Sequence, residues 1–195
     1  IAAAGDEIWV AAGTYAEHIK NKTVCPLGSE VAVDTALYGG FAGTETNRNE
    51  RNYNVNLTIL DGTNSGAVLT ITAGAGLETR VDGFYITRGT AGISCSMSSP
   101  TVTNNFIYSN SSSGIYIGNY KFTSSTDYVF PVISHNTILY NTASYGGGIH
   151  IYGAQGLVTM PSSAPQITNN TIGWNTASST GGGIGSYGHS SPYIA

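Results

Sequence analysis

Val132-Ile133-Ser134-His135-Asn136-Thr137-Ile138-Leu139-Tyr140-Asn141, followed shortly by Gly146-Gly147-Gly148-Ile149, is one unit of an internal repeat. The same order recurs at Thr101-Val102-Thr103-Asn104-Asn105-Phe106-Ile107-Tyr108-Ser109-Asn110 with Gly114-Ile115. It recurs again at Gln166-Ile167-Thr168-Asn169-Asn170-Thr171-Ile172-Gly173-Trp174-Asn175 with Gly181-Gly182-Gly183-Ile184. Pro100, Pro131, Pro165 and Pro192 open successive units at spacings of 31, 34 and 27 residues. A degenerate copy, Val81-Asp82-Gly83-Phe84-Tyr85-Ile86, precedes Gly92-Ile93.

The apolar runs are short, β-branched and bounded by Asn, Gly and Ser, which is strand and turn chemistry. Helical solenoids keep a near-constant period with long amphipathic segments. Coils of short parallel strands tolerate variable spacing, because each coil need only return to register with its neighbour. Insertions at 119–127 and 153–163 then read as corner loops. Val102, Ile133 and Ile167 are expected to form one inward column, and Ile107, Ile138 and Ile172 another. Asn105, Asn136 and Asn170, and again Asn110, Asn141 and Asn175, are expected at bends that need the left-handed conformation. Stacked about 4.8 Å apart, their amides would hydrogen-bond from coil to coil. Gly148 and Gly183 mark a tight corner.

Composition narrows the function classes. Only 9% of the 195 residues are charged, against about 25% in an average soluble domain. All Lys, Arg, Asp and Glu lie between Asp6 and Asp127, and the net charge is −4. Without a basic patch, duplex nucleic acid is not an expected partner. Without a run of about 18 apolar residues, insertion of a helix into a membrane is not expected. Cys25 and Cys95 form neither a disulfide framework nor a metal pattern and read as small buried hydrophobes. The chain reads as one domain over 1–195, a fragment of a longer protein. Residues 5–78 form its N-terminal coils, with a charged, Asn-rich loop at 39–56, and 79–195 hold the regular repeats. Further strands are expected at Val31 to Leu37, Leu57 to Leu60 and Val68 to Ile71.

Gly5 to Tyr15, Leu37-Tyr38-Gly39-Gly40-Phe41-Ala42-Gly43-Thr44-Glu45-Thr46, Thr58-Ile59-Leu60-Asp61-Gly62 and Val81-Asp82-Gly83-Phe84 resemble the N-terminal part of secreted bacterial parallel β-helix proteins of the pectate-lyase-like superfamily. The Gly-Gly-Gly-Ile and Ile-x-x-Asn elements are similar to repeats of polymorphic outer-membrane proteins. The resemblance implies an all-β, right-handed parallel β-helix of about six or seven coils, with Ile1 to Ala4 as the remnant of a capping helix. It also implies an extracellular or cell-surface location. It does not imply one activity, since the scaffold carries lyases, hydrolases, adhesins and passive surface proteins.

Asp61 and Asp82 are the candidate metal residues. Each precedes Gly, and with one coil between them their carboxylates would stack and hold Ca²⁺. The alternative is that each hydrogen-bonds its own turn, with Arg80 and Arg88 near enough to neutralise both. No other cofactor is expected. No catalytic residue is assigned, because lyase chemistry of this fold needs a base in register with a charge cluster and glycosidases need two flanking carboxyls. The candidate bases are Lys20, Lys22, Lys121 and the four arginines. His135 reads as a turn residue and His150 as a strand residue. Tyr108, Tyr116, Tyr140, Tyr145 and Tyr152 are candidate aromatics for stacking on sugar rings or for a subunit interface; tyrosines also simply fit β surfaces.

The function expected is a non-catalytic structural or adhesive surface module. Its partners would be a polysaccharide or other copies of itself. A polysaccharide-active enzyme or carbohydrate-binding module is the alternative, and a groove lined by three or more charged side chains would favour it.

Overall fold

A computed structural model describes residues 2–22, 30–32, 34–118, 129–154 and 163–195. Ile1, Cys25, Lys121 and the bodies of the two corner insertions lie outside them.

The strands are two to six residues long and pair with strands of neighbouring coils, always in parallel. The first sheet stacks Glu7–Ala11, Ala36–Phe41, Arg80–Asp82, Thr101–Thr103, Val132–Ser134, Gln166–Thr168 and Tyr193–Ile194. The second stacks Gly13–Tyr15, Thr58–Asp61, Tyr85–Thr87, Phe106–Tyr108, Thr137–Leu139 and Thr171–Gly173. In the third, Glu30–Ala32 flanks Ile19–Lys22, followed by Leu69–Ile71, Ile93–Ser96, Ile115–Gly118, Ile149–Tyr152 and Ile184–Tyr187. The chain visits the three sheets in turn, which makes it a right-handed parallel β-helix of six coils and the first strand of a seventh. A further pair, Thr142–Tyr145 and Thr176–Thr180, fills the corner between the second and third sheets in coils five and six.

The inward columns are as expected. Leu37, Val81, Val102, Ile133 and Ile167 align on the first sheet. Leu60, Ile86, Ile107, Ile138 and Ile172 align on the second. The third supplies two columns: Leu69, Ile93, Ile115 and Ile149, and Ile71, Cys95, Ile117 and Ile151. Most of these side chains are fully buried, and Cys95 is a free thiol among them. Burial in that apolar column pushes the Cys95 thiol up to about 12.

Both Asn ladders form. Oδ1 of Asn136 accepts from the backbone N–H of Asn105 and from its Nδ2, both at 3.0 Å. Asn170 does the same for Asn136, Asn141 for Asn110, and Asn175 for Asn141. The expected backbone conformation falls one residue earlier. The left-handed residues are Asn104, His135 and Asn169 at the first bend and Arg88, Ser109, Tyr140 and Trp174 at the second. The ladder Asn follows the bend and turns its side chain inward, while the strained residue faces out. His135 is a turn residue, as read.

Gly92, Gly114 and Gly148 are required by close approach. A Cβ on Gly148 would come 2.5 Å from the carbonyl oxygen of Gly183 and 2.9 Å from Nδ2 of Asn175. Gly114 meets the oxygen of Gly148 and the amide of Asn141 in the same way.

Three local expectations change. Val31 to Leu37 is two strands, because Asp34 adopts φ 62° between them. The loop expected at 39–56 starts later, since Gly39-Gly40-Phe41 continue the strand. Ala2 to Ala4 end in a turn rather than a helix: Asp6 N–H donates to the carbonyl of Ala3, and Asp6 Oδ2 accepts from Ala3 N–H.

Replacing Ile138 by Ala should destabilise the fold by about 2 to 5 kcal/mol, read from urea unfolding. Gly114→Ala should also destabilise it, although Ala ordinarily favours regular structure over Gly. A Gly114→Ala variant as stable as the parent would contradict the close approach at this corner.

Candidate functional site

The charged side chains gather over the first three coils. Two outward rows of the first sheet run Glu7, Ala36, Arg80, Thr101 and Trp9, Tyr38, Asp82, Thr103. Beyond coil three the rows continue as Val132 and Gln166, and as Ser134 and Thr168, without charge.

The loop after Phe41 folds back over these rows. Carboxylates cap its turns. Glu45 accepts from the N–H groups of Ala42, Gly43 and Thr44, and these donors hold its carboxyl below the usual range. Asn47 and Glu50 form a capping box around the single 3₁₀ turn Arg48–Glu50. Glycines let the loop lie close to the sheet. Gly40 has φ +96°, and a Cβ there would come 2.6 Å from Tyr53. Gly83 has φ +83°, and a Cβ there would come 2.6 Å from Nη1 of Arg51.

Arg51 pins the loop down. Its Nη1 donates to the carbonyls of Gly39 (3.0 Å) and Asp82 (3.1 Å), and its Nη2 to Asp82 Oδ1 (2.6 Å). The guanidinium lies over the rings of Tyr38 and Tyr53. Arg80 Nε donates to Asp82 Oδ2 at 3.0 Å, and Asn104 Nδ2 to Oδ1 at 3.0 Å. Arg48 pairs with Glu7, donates to Tyr38 Oη and lies over its ring. The result is a cleft of about 550 Å³ lined by Tyr38, Arg48, Asn49, Arg51, Tyr53, Arg80 and Asp82. A neighbouring hollow of about 450 Å³ shares Tyr38, Arg48 and Arg80 and adds Asp6, Glu7, Asp34 and Glu78. The groove therefore carries both signs of charge. It presents the guanidiniums of Arg48 and Arg80 to solvent together with the half-buried ring of Tyr53. Tyr38 is buried beneath Arg48 and Arg51, and the Asp82 side chain is 4% exposed and already holds three side-chain donors.

Asp61 and Asp82 are not brought together. Asp61 lies on the second sheet opposite Thr87, and Asp82 on the first between Tyr38 and Thr103. The expected stacking of their carboxylates is therefore not formed. A spacing of 21 residues is one coil from Asp82 to Thr103, but one coil from Asp61 takes 26 residues and ends at Thr87, so Asp82 falls short of the Asp61 column. Asp61 takes the N–H of Thr63 in its own turn, as the alternative reading had it, and pairs with Arg88. Arg80 and Arg88 thus neutralise one Asp each. Among the described residues no group of three or more His, Cys, Asp and Glu has metal-holding geometry. Lys20 lies on the third sheet, away from the cleft.

Of the five tyrosines, Tyr116, Tyr145 and Tyr152 converge on His150, with ring centroids 5.3, 5.9 and 6.4 Å from the imidazole. Tyr187, which the sequence did not single out, stacks on Tyr152. Tyr108 packs against Phe106 on the second sheet, and Tyr140 stacks on Trp174 at the second bend. Arg48 and Arg51 stood among the candidate bases, but their meeting with Tyr38 and Tyr53 in one cleft went unrecognised. Their signal was the Gly39-Gly40 and Gly83 positions, which left room for a loop to fold onto the sheet.

Arg51→Ala should destabilise the fold by about 3 kcal/mol or more, because it leaves a buried carboxylate short of a partner; thermal melts and loop proteolysis would show it. Half-burial lowers the pKa of His150 below that of a free imidazole. The unfolded chain then binds that proton at higher pH than the folded one. The His150 contribution to stability is full above about pH 6.5 and is lost as pH falls through the folded pKa. His150→Gln should flatten the melting temperature between neutral pH and about pH 5.

No curated protein and no solved structure matches this chain. A model of the family described as "Protein of unknown function (DUF1565)" matches residues 1–189, so this parallel β-helix belongs to the DUF1565 family.

Proposed function

We propose that this chain is a non-catalytic adhesive module of an extracellular or cell-surface protein, and that the cleft beneath the 42–57 loop holds a polysaccharide. The observation that carries the reading is the composition of that cleft. Saccharides are polyhydroxylated and present alternating polar and C–H faces. They suit a site that combines fixed charged donors with aromatic faces. Arg48 and Arg80 supply donors at the cleft wall, and Tyr53 supplies a half-buried ring, with the buried Tyr38 fixing Arg48 from below. The groove is open, as an extended polymer requires.

Four charged side chains, Arg48, Arg51, Arg80 and Asp82, line the cleft and so meet the condition that favours a polysaccharide-active enzyme, but the way they are engaged favours binding over cleavage. General acid or base work needs a carboxyl with a proton or lone pair directed at substrate. Asp82 is buried under Arg51 and Arg80, and Glu7 is engaged by Arg48 and by Nε1 of Trp9. The resemblance to secreted β-helix proteins and the low charge support the surface location.

A second reading, association with other copies of itself, rests on a separate observation. Residues 128–195 contain no Lys, Arg, Asp or Glu, so the later coils carry no like charges to keep neighbouring copies apart.

Glycan-array binding followed by calorimetry tests the first reading. Arg80→Ala and Arg48→Ala should each weaken binding about tenfold or more, as loss of a charge-assisted hydrogen bond does. Release of new chain ends from the bound glycan would replace the adhesive reading by an enzymatic one. Failure to retain any glycan would leave self-association, which light scattering over a concentration series measures.

A further inference from the structure

The third sheet carries a second site of different chemistry. One of its outward rows runs Lys20, Thr70, Ser94, Tyr116, His150, Gly185, and the adjacent one ends Ser96, Gly118, Tyr152, Tyr187. The two rows turn aromatic together in coils four to six. The extra strand Thr142–Tyr145 then brings a fifth ring, Tyr145, over them. Gly146, at φ +53°, turns the chain so tightly that a Cβ there would come 2.5 Å from His150 Cα, and this turn sets Tyr145 above the imidazole.

The rings form a corner. Tyr145 and His150 are near parallel at 29°, Tyr152 and Tyr187 near parallel at 26°, and His150 and Tyr152 meet at 82°. Between these walls lies a cavity of about 270 Å³, lined among the described residues by Tyr145, His150, Tyr152 and Tyr187. We infer that this aromatic corner binds a quaternary ammonium group, the trimethylammonium head of a choline-type ligand.

Three observations select that chemistry. Ring faces carry negative electrostatic potential and attract a cation held within about 6 Å of them. Among the described residues no carboxylate, amide or guanidinium lines the cavity, so these contribute none of the directed polar groups that orient a sugar or a metal ion. A methylated ammonium donates no hydrogen bond and leaves water without leaving a donor unmet. Nor does a resident cation compete there. Lys20 lies three strands before Tyr116 in the row, and among the described residues no Lys or Arg follows Arg88. The groups facing His150 are Tyr116, Tyr145 and Tyr152, from the preceding coil, the corner strand and its own strand, and none is charged near neutrality. Gly185 in the next coil has no side chain.

The test is titration of the whole chain with choline and with its uncharged isostere 3,3-dimethylbutan-1-ol, followed by tyrosine and histidine ring resonances. Choline should bind about tenfold more tightly than the isostere, since only the charge differs. Tyr145→Leu and Tyr187→Leu, at exposed positions, keep apolar area but remove a ring face and should each weaken choline several-fold. The corresponding Phe variants should keep it. Acidification should weaken choline as His150 gains a like charge, and His150→Gln should abolish that dependence. Phosphatidylcholine vesicles that co-sediment with the chain would identify a lipid as the source. Binding of free choline without vesicles would identify a soluble or polymer-borne one. Equal affinity for choline and the isostere, or ring resonances that respond to cellobiose and not to choline, would overturn the inference. None of these readouts involves the first-sheet cleft, so the outcome stands apart from the polysaccharide reading.

Discussion

The carboxamide that bridges one coil to the next is the contact on which the remaining architecture depends. Each inner ladder Asn, such as Asn136, uses Oδ1 to satisfy a backbone N–H and an amide of the coil before, and Nδ2 to satisfy the carbonyls of Val102 and Ser134. These groups are buried, where an unmet donor or acceptor costs about 1 to 3 kcal/mol. A slip of one residue would strand all of them at once and turn the isoleucine columns outward. The ladders therefore set the register, and the register sets the columns. The same crowding explains the corner glycines, whose missing Cβ atoms leave space for the amide and for the next coil's carbonyl.

A solenoid held this way is indifferent to what leaves its corners. The loop after Phe41 leaves between the first and second sheets, folds back, and is held by Arg51 through two carbonyls and a carboxylate. That anchorage turns two rows of an ordinary sheet surface into a cleft. It also consumes Asp82, the one carboxylate at the centre of the cleft, in holding the loop. Position and chemistry are thus linked: the residue best placed to react is the one that builds the site.

The later coils follow another logic. Their outer faces carry hydroxyls, amides and rings, with left-handed backbone at Tyr140 and Trp174, bulky residues for which that conformation is unfavourable. The stacked pair they form is exposed, Trp174 to 72%. The aromatic corner around His150 lies in the same coils. The charged cleft proposed for a polysaccharide over the first three coils and the aromatic corner proposed for an ammonium group over the last three share one solenoid.

The repeat alone determined the parallel β-helix, both inward columns and both Asn ladders, because side-chain period and coil-to-coil identity are properties of residue order. It placed His135 at a bend and set Arg80 and Arg88 near the two aspartates, while which arginine meets which aspartate, and the part of Arg51, came from the structure. Three features were decided only by the tertiary structure. Asp61 and Asp82 are 21 residues apart yet sit on different sheets, because coil length varies with the corner loops and the coil from Asp61 runs 26 residues to Thr87. The left-handed residue precedes the ladder Asn, because burial of the amide, rather than tolerance of strain, chooses the Asn position. Arg48, Arg51, Tyr38 and Tyr53 meet through a loop that folds back onto the sheet, and Tyr145 meets His150 through a corner strand. Both contacts depend on where a chain segment returns in space, and local sequence preferences carry no information about that return.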